Sequence, residues 1–332
     1  MNISVIIPCY NVASYVEETL ESVVNATRHF DGRLECICVD DGSTDGTGEK
    51  LDAFVAKVAT QANLIYKVIH QANAGSGAAR NAGLAVATGE WIMFLDGDDL
   101  WLEDILSTME KAAIEYPKAD IISFQLTWFE GDAQGVNKVD VSERNCRVFD
   151  TRKFIADELV IELGICPTLF RRATFKDEKY EKLSLGQDRL YVSRCLAKAD
   201  QVVRDSKCLL AYRQREGSST HVAWSVRKIL SQCDYAVGAL RYLAHSGKEV
   251  ERGGVRYLAQ RWLSEVPNRI LRIKDKSERM RAWEHWIQTI EENDFSILSS
   301  RQMRIRHHIL AWKGSMIGSL YVARIFRKLG II

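Results

Sequence analysis

The chain has 332 residues, a net charge of +1 and 46% hydrophobic residues, which are ordinary values for a globular protein. No apolar run approaches the roughly 20 residues that a membrane-spanning helix needs, so we do not expect the protein to be an integral membrane protein. The first residues show neither the basic stretch nor the cleavage site of an export signal. Eight cysteines without a C-x-x-C pair are typical of buried, reduced thiols, and we therefore expect a cytoplasmic protein.

Basic and acidic residues are distributed unevenly along the chain. Residues 1–221 hold 25 basic and 34 acidic side chains, a net charge of −9, whereas residues 222–332 hold 20 and 10, a net charge of +10. Seven Lys or Arg residues and no acidic residue follow Asp294. The sequence therefore predicts two regions that face different partners.

The first 127 residues alternate between strand and helix patterns. Apolar, β-branched runs predict strands at residues 3–8, 34–39, 64–69, 91–95 and 120–127. Apolar residues at helical spacing predict a helix in each interval, the last at about 102–115. Four successive β-α units predict an α/β fold whose mostly parallel sheet is flanked by helices.

The remainder of the chain is less regular at first and then helical. Residues 128–221 mix loop and strand signals, and residues 222–332 show apolar faces at helical spacing. We therefore predict one domain over residues 1–221, made of a part at 1–115 and a part at 116–221. A basic helical region over 222–332 would follow it.

Two acidic segments follow predicted strands. Asp96, Asp98 and Asp99 share one tight turn, and Asp40 with Asp41 ends the second strand. Ligands of parallel α/β sheets bind beyond the carboxyl ends of the strands, where these groups would meet. Crowded carboxylates repel one another unless a cation lies among them, and Mg²⁺ binds one or two carboxylates plus substrate phosphates. Both segments are also consistent with turns whose aspartates cap the next helix.

A glycine-rich turn at residues 75–77 follows the third strand. It resembles a dinucleotide loop poorly, because Arg80 stands at the third glycine position and the loop does not follow the first strand. A nicotinamide enzyme is therefore disfavoured.

Four sequence blocks, taken together, resemble glycosyltransferase family 2, the inverting enzymes of the GT-A fold. They occur in one order over about residues 3–115. The blocks are Ile6-Ile7-Pro8-Cys9-Tyr10-Asn11, Val39-Asp40-Asp41-Gly42-Ser43-Thr44-Asp45, Asn73-x-Gly75 with Ala79-Arg80-Asn81-x-Gly83, and Gly89-Glu90-Trp91-Ile92-x-Phe94-Leu95-Asp96-x-Asp98-Asp99.

The resemblance implies a GT-A catalytic domain over residues 1–221, with a nucleotide-sugar-binding part at 1–115 and an acceptor and catalytic-base part at 116–221. It also implies a role for each matching position. The D-x-D motif would be Asp96 to Asp98. Asp98 would be the direct ligand of Mn²⁺ or Mg²⁺, with Asp96 as a second metal residue and Asp99 beside Asp98. A later segment with two arginines resembles one that closes over the donor, and guanidinium groups suit diphosphate oxygens; a solvated basic loop is its alternative. The implied donor-binding residues are Pro8, Tyr10, Asn11, Asp40, Asp41, Asn73, Gly75, Arg80, Asp96, Arg213, Arg215 and Ser218.

The resemblance also implies a catalytic base. Family members usually carry a Glu-Asp pair about ninety residues after the D-x-D motif, and Gly186-Gln187-Asp188 stands there. Asp188 would take the proton from an acceptor hydroxyl. Gln187 departs from the usual glutamate, and Asp188 could instead cap a helix that starts near Arg189.

The last 32 residues interleave basic and aromatic residues. This pattern at 301–332 is typical of an interfacial helix on an anionic membrane, and equally of a helix that covers the catalytic domain. The acidic N-terminal half and the lack of a recognised module disfavour a nucleic-acid partner.

The sequence thus predicts a metal-dependent glycosyltransferase. It would move a sugar from a nucleoside diphosphate donor, with UDP as the first candidate, to a hydroxyl of a growing glycan or lipid-linked saccharide. The expected setting is the assembly of capsule, exopolysaccharide or O-antigen. Transfer to a polyprenyl phosphate is an alternative, and so is a non-catalytic nucleotide-sugar scaffold, which Gln187 motivates.

Overall fold

The computed structural model describes residues 1–58, 63–131, 136, 145–215 and 225–292. Its residues form two compact units. Unit 1 comprises residues 1–150, 164–182 and 199–222, and unit 2 comprises residues 151–163, 183–198 and 223–332. The predicted domain boundary at 221 remains a prediction.

Unit 1 is built on one mixed sheet, which has nine strands within the described residues. The strands are β1 (Asn2–Cys9), β2 (Arg33–Asp40), β3 (Leu64–His70), β4 (Trp91–Phe94), β5 (Leu100–Trp101), β6 (Ile121–Glu130), β7 (Cys146–Asp150), β9 (Thr168–Arg171) and β10 (Gln201–Gln214). Their order is β3-β2-β1-β4-β9-β6-β10-β5, with β7 paired to β10.

The parallel half of the sheet confirms the predicted α/β fold. Strands β3, β2, β1 and β4 run parallel, whereas β9 pairs antiparallel with both β4 and β6. Residues 3–7 of β1 are fully buried, as a strand covered on both faces requires. The helices of unit 1 are α1 (Val16–Ala26), α2 (Thr47–Val58), α3 (Ser76–Val86), α4 (Ile105–Glu115) and α6 (Arg172–Phe175).

Two sequence predictions need correction in this unit. Helix α4 begins at Ile105 rather than near residue 102, and Asp99 precedes the short strand β5. Asp99 therefore does not cap a helix. After β2, it is Asp45 whose carboxylate accepts the amide of Thr47 at the start of α2, so Asp40 and Asp41 are not needed as caps.

Unit 2 is mainly helical. Its elements are β8 (Phe154–Ile155), α5 (Asp157–Glu162), α7 (Gln187–Lys198), α8 (Val226–Ala244), β11 (Glu249–Val250), α9 (Arg252–Gln260), α10 (Val266–Ile270) and α11 (Lys276–Glu292). Strands β8 and β11 pair in parallel, and a π-helical turn at 261–265 joins α9 to α10. Helices α7 and α8 approach closely at Gly238, where a Cβ atom would lie 2.8 Å from Cδ1 of Leu190. Among the helices described, none combines the length and apolar character needed to cross a membrane.

Candidate functional site

The parallel strands bring the predicted donor-binding segments to one edge of the sheet. Cys9 at the end of β1 pairs with Asp40 at the end of β2, and Phe94 of β4 pairs with Ile6 of β1. The loops that follow β1, β2 and β4 therefore leave the sheet side by side.

The loop after β1 is fastened to the loop after β2. The Asn11 amide donates to Oγ of Ser43 (3.1 Å), and Oδ1 of Asn11 accepts the Thr44 amide (2.9 Å). Asn11 adopts a positive φ of 51°, a conformation that asparagine tolerates better than most residues. Tyr10 is 49% exposed beside Pro8, so its ring is open to a ligand.

Asp41 holds the loop after β3. Its carboxylate accepts hydrogen bonds from Nε2 of Gln71 (2.7 Å) and from the amides of Ala74 (2.9 Å) and Gly75 (2.7 Å). The side chain is buried, so these bonds fix the segment that carries Asn73 and Gly75.

Asp40 is buried as well and faces a different set of donors. It accepts a hydrogen bond from the amide of Ser43 (3.0 Å) and lies 3.1 Å from Nδ1 of His70. Burial alone would raise the pKa of Asp40, but the hydrogen bonds from Ser43 and His70 outweigh it and hold the pKa below its usual value. Asp40 is therefore an ionised acceptor.

The acidic turn, residues 96–99, is surrounded by arginines. Oδ1 of Asp96 accepts from Nη2 of Arg80 on α3 (2.7 Å), and Oδ2 of Asp98 accepts from Nε of Arg215 (2.5 Å). Asp99 is buried and accepts the backbone amide of Arg213 (3.0 Å). The structure thus brings together five of the residues predicted to bind donor or metal, and Asp99 lies beside them.

Arg213 anchors the acidic turn from the end of β10. Its Nε donates to the carbonyl of Asp98 (2.8 Å), Nη2 to Glu18 (2.5 Å), and Nη1 to the carbonyl of Gly131. Its guanidinium also lies over the rings of Tyr15 (4.9 Å) and Phe129 (4.5 Å). With 3% of the residue exposed, this geometry favours a positioning role for Arg213.

The carboxyl groups of the turn perturb one another. Burial, followed by the charge of Asp96, raises the pKa of Asp98, and the hydrogen bond from Arg215 opposes that rise. Burial, followed by the charges of Asp96 and Asp98, raises the pKa of Asp99 to about 9. The arginines therefore compensate the turn only in part.

This residual repulsion makes the turn suitable for a divalent cation. Within the described residues, no cluster of three or more His, Cys, Asp or Glu side chains could hold a metal ion alone. Mg²⁺ commonly binds one or two carboxylates and takes its other oxygens from water and substrate phosphates. The turn offers such carboxylates, and they fit a cation that arrives with a diphosphate.

A cavity of 270 Å³ lies next to this turn. It is lined by Ser14, Tyr15, Glu18, Gly131, Arg213, Gln214 and Arg215. The sequence patterns did not indicate Tyr15 or Glu18. Both residues lie about two hundred positions from the arginines in sequence, so local patterns could not connect them. The only local indication is weak: Tyr15 stands where an apolar strand leads into a helix.

Asp188 belongs to unit 2 and lies in the first turn of α7. The helix begins one residue earlier, at Gln187, and Gly186 precedes it with a φ of 79°. Asp188 is therefore inside the helix and does not occupy its N-cap. The side chain is half-buried, and Nε2 of Gln187 donates to the carbonyl of Leu183 (2.5 Å). Two predicted features, Ser218 and residues 301–332, lie outside the described part of the chain.

The family model described as "Glycosyl transferase family 2" matches residues 4–177. The chain belongs to this family. The match contains the four sequence blocks and the acidic turn, and it ends before Asp188, Arg213 and Arg215. The match thus confirms the predicted family, whereas the roles of the later residues remain predictions.

Relatives and a solved structure extend this comparison. Glycosyltransferase GlyA of Streptococcus pneumoniae is 29% identical over 75% of the chain and 36% of GlyA. The minor teichoic acid biosynthesis protein GgaA of Bacillus subtilis is 27% identical over 69% of the chain and 52% of GgaA. The chain thus spans about a third to a half of these relatives. The crystal structure of S. aureus TarS 1–349 with UDP-GlcNAc has a TM-score of 0.66 at 21% identity, covering 99% of this chain and 92% of that one, which supports the GT-A fold.

Proposed function

We propose that the protein transfers a sugar from a nucleoside diphosphate donor to a hydroxyl of a growing glycan or lipid-linked saccharide, with inversion at the anomeric carbon. The observation that carries this proposal is the acidic turn, whose three aspartates meet Arg80, Arg213 and Arg215 at the carboxyl ends of parallel strands. UDP is the proposed nucleotide, because TarS, which shares the fold, binds UDP-GlcNAc.

The donor would lie across the loops after β1, β2 and β4. Tyr10 and Pro8 would frame the base, and the ionised Asp40 would accept from a base N–H or a ribose hydroxyl. Asp41 would act indirectly by holding Asn73 and Gly75 in place. Arg215, which is partly exposed beside the cavity, would bind diphosphate oxygens.

Asp98 and Asp96 would hold a divalent metal, Mn²⁺ or Mg²⁺. When bound, the metal would neutralise negative charge on the departing diphosphate. The proposal is supported by the raised pKa of Asp98, which is caused first by burial and then by the charge of Asp96. Arg80 keeps Asp96 oriented through its bond of 2.7 Å.

Asp188 is the proposed catalytic base. It would accept the proton of the acceptor hydroxyl while that oxygen attacks the anomeric carbon and the bond to the diphosphate breaks. Attack from the face opposite the diphosphate would invert the anomeric configuration. The place of Asp188 in the first turn of α7, outside the N-cap, supports a role other than capping.

The setting we propose is bacterial surface polysaccharide assembly on the cytoplasmic side of the membrane. The name of GgaA, a teichoic acid biosynthesis protein, supports this class of product. The basic, aromatic pattern of residues 301–332 supports peripheral contact with anionic lipid. Sedimentation with phosphatidylglycerol vesicles should therefore require these residues. Equal sedimentation of a folded protein truncated after residue 300 would contradict that contact.

The catalytic proposal is tested with Asp188→Asn. Release of UDP from a panel of UDP-sugars, measured with membrane glycolipid as acceptor, should fall at least about 100-fold because the general base is lost. Affinity for UDP should stay unchanged. Asp200→Asn, which alters an exposed aspartate, is the matched control. Full turnover by Asp188→Asn would contradict the assignment, and product NMR showing a retained anomeric configuration would contradict inversion.

A further inference from the structure

One cavity of unit 2 is basic. It has a volume of 590 Å³, within the range of small-molecule sites. Arg261 of the π-helical turn, Arg269 of α10 and the following Arg272 line it together with Glu265. Ile229 and Ile273 give it a partly apolar wall.

One carboxylate lies among the arginines of this lining. Oε2 of Glu265 lies 3.5 Å from Nη1 of Arg261 and 3.6 Å from Nη2 of Arg269, and it also accepts from Nε2 of Gln232 at 2.9 Å. Both arginine distances exceed the 2.7–2.9 Å of a good charge-assisted hydrogen bond. Glu265 therefore interacts only weakly with each guanidinium group. The three arginines and one glutamate of the lining carry a net charge of +2.

Arg261 has hydrogen-bonding capacity that the described residues do not use. Its Nε is buried and lacks a hydrogen-bond partner there, while its guanidinium lies 5.1 Å from the centre of the Tyr257 ring. Buried N–H groups are nearly always paired, with protein, water or ligand. Because Nε itself is buried, an anion in the cavity would contact the 31% of the Arg261 side chain that stays exposed.

The cavity is close to the helix that carries Asp188. Tyr235 of α8 is buried against Gly186, where a Cβ atom would lie 2.0 Å from Cδ1 of the tyrosine ring. Burial raises the pKa of Tyr235 to about 12, and the neighbouring Arg261 opposes that rise. Tyr235 therefore contacts the turn before Asp188 and lies within the electrostatic influence of Arg261 in the cavity lining.

We propose that this cavity binds a phosphate group of the acceptor. The inference rests on the proposed function, because it assigns the cavity to the substrate that Asp188 would deprotonate. Arginine forks match phosphate oxygens, and the isoleucine wall suits the carbon skeleton next to the phosphate. A phosphodiester of a glycan chain and the diphosphate of a lipid-linked saccharide share this chemistry.

The first experiment measures binding of inorganic phosphate to the full chain by calorimetry in EDTA. The variant R269Q/R272Q should bind phosphate at least about tenfold more weakly, since each charge-assisted hydrogen bond contributes more than a factor of ten. Glu265→Gln should bind it more tightly, because a competing carboxylate is removed. Arg252→Gln changes an exposed arginine of the same unit outside the cavity and should bind like the wild type.

The gain in phosphate affinity expected for Glu265→Gln distinguishes a ligand site from a structural ion network. In a structural network, loss of the Glu265 charge would only destabilise the fold. The Glu265→Gln variant also keeps the test valid if R269Q/R272Q does not fold. Equal phosphate affinity in wild type and Glu265→Gln, or no binding to the wild type at millimolar phosphate, would overturn the proposal. UDP binding in Mn²⁺ is measured in parallel. Phosphate binding without UDP binding would leave the anion site standing and refute the proposed function, and the reverse would refute only the anion site.

The second experiment separates the two sources of phosphate. Bis(glyceryl) phosphate represents a soluble phosphodiester, and phosphatidylcholine vesicles doped with farnesyl diphosphate represent a lipid diphosphate. Binding of either probe that weakens in R269Q/R272Q and strengthens in Glu265→Gln supports the site and identifies its source. If both probes bind and their affinities are unchanged in both variants, the proposal is overturned.

Discussion

The two charged clusters of the protein balance charge in different ways. In the acidic turn of unit 1, guanidinium groups bind Asp96 and Asp98 at 2.5–2.7 Å, and Asp99 accepts a backbone amide at 3.0 Å. In the basic cavity of unit 2, Arg261 and Arg269 share one carboxylate at 3.5–3.6 Å. The first cluster has as many arginines as aspartates, whereas the second has three arginines for one glutamate and is short of negative charge.

This contrast shows that hydrogen bonding and exposure distinguish arginines that hold the fold from arginines that are available to a ligand. Arg213 donates to four groups of unit 1 and is buried, so its bonds hold the turn in shape. Arg215 and Arg261 keep 24% and 31% of their side-chain surface exposed, which leaves them accessible to a ligand. Substitutions that keep the charge but remove the fork geometry should separate these roles.

The largest effect is expected for Arg213→Lys. Lysine keeps the charge but cannot donate at once to Glu18, Asp98 and Gly131, so the free energy of unfolding should fall by about 2–4 kcal/mol. Urea unfolding measures this change, with Arg33→Lys at an exposed strand end as control. Stability equal to that of the control would show that Arg213 does not anchor the turn.

A smaller effect on stability is expected for Arg215→Lys. Arg215 makes one partly exposed ion pair with Asp98, so the free energy of unfolding should change by less than about 1 kcal/mol. Affinity for UDP should fall about tenfold, because the guanidinium fork for the diphosphate is lost. A loss of stability as large as that of Arg213→Lys, with UDP affinity unchanged, would reverse the two roles.

The smallest effect concerns an exposed pair of unit 2. Nε2 of His285 lies 2.8 Å from Asp234, and this hydrogen bond, helped by the charge of Glu292, raises the pKa of the imidazole. A raised histidine pKa stabilises the fold below the unfolded value of about 6.5, and this contribution is lost as pH rises through the folded pKa.

Melting temperatures of wild type and His285→Gln should therefore differ most near about pH 5.5 and converge by about pH 8.5. Both side chains are more than a third exposed, so the difference should stay below about 1 kcal/mol. A gap that widens with rising pH would contradict the sign of this account.

Local patterns predicted the first half of the fold well. Strands β1 to β4 were identifiable because continuous apolar runs and their β-α alternation are local features. Strand β9 was missed, because its four residues join β4 and β6 only through pairing across about 50–80 positions of sequence. The length of β10 was likewise hidden, since its partners β5, β6 and β7 come from separate segments.

The candidate site divides in the same way. Asp40, Arg80 and Asp98 stand in sequence blocks that resemble the family, so the amino-acid sequence alone indicated them. The tight bonding of Arg213 and the sharing of Glu265 could not be predicted, because both depend on which side chains converge after folding. Residue type indicated where charge lies, and only packing distinguished structural from ligand-binding arginines.

The most direct test of the central claim is calorimetric titration of UDP, GDP and dTDP into the full chain, with Mn²⁺ and with EDTA, in wild type and Asp98→Asn. The account predicts UDP binding in Mn²⁺ that is lost in EDTA and weakened at least about 100-fold in Asp98→Asn. UDP affinity that is the same with and without the metal, or the same in Asp98→Asn, would contradict a metal-dependent donor site at the acidic turn.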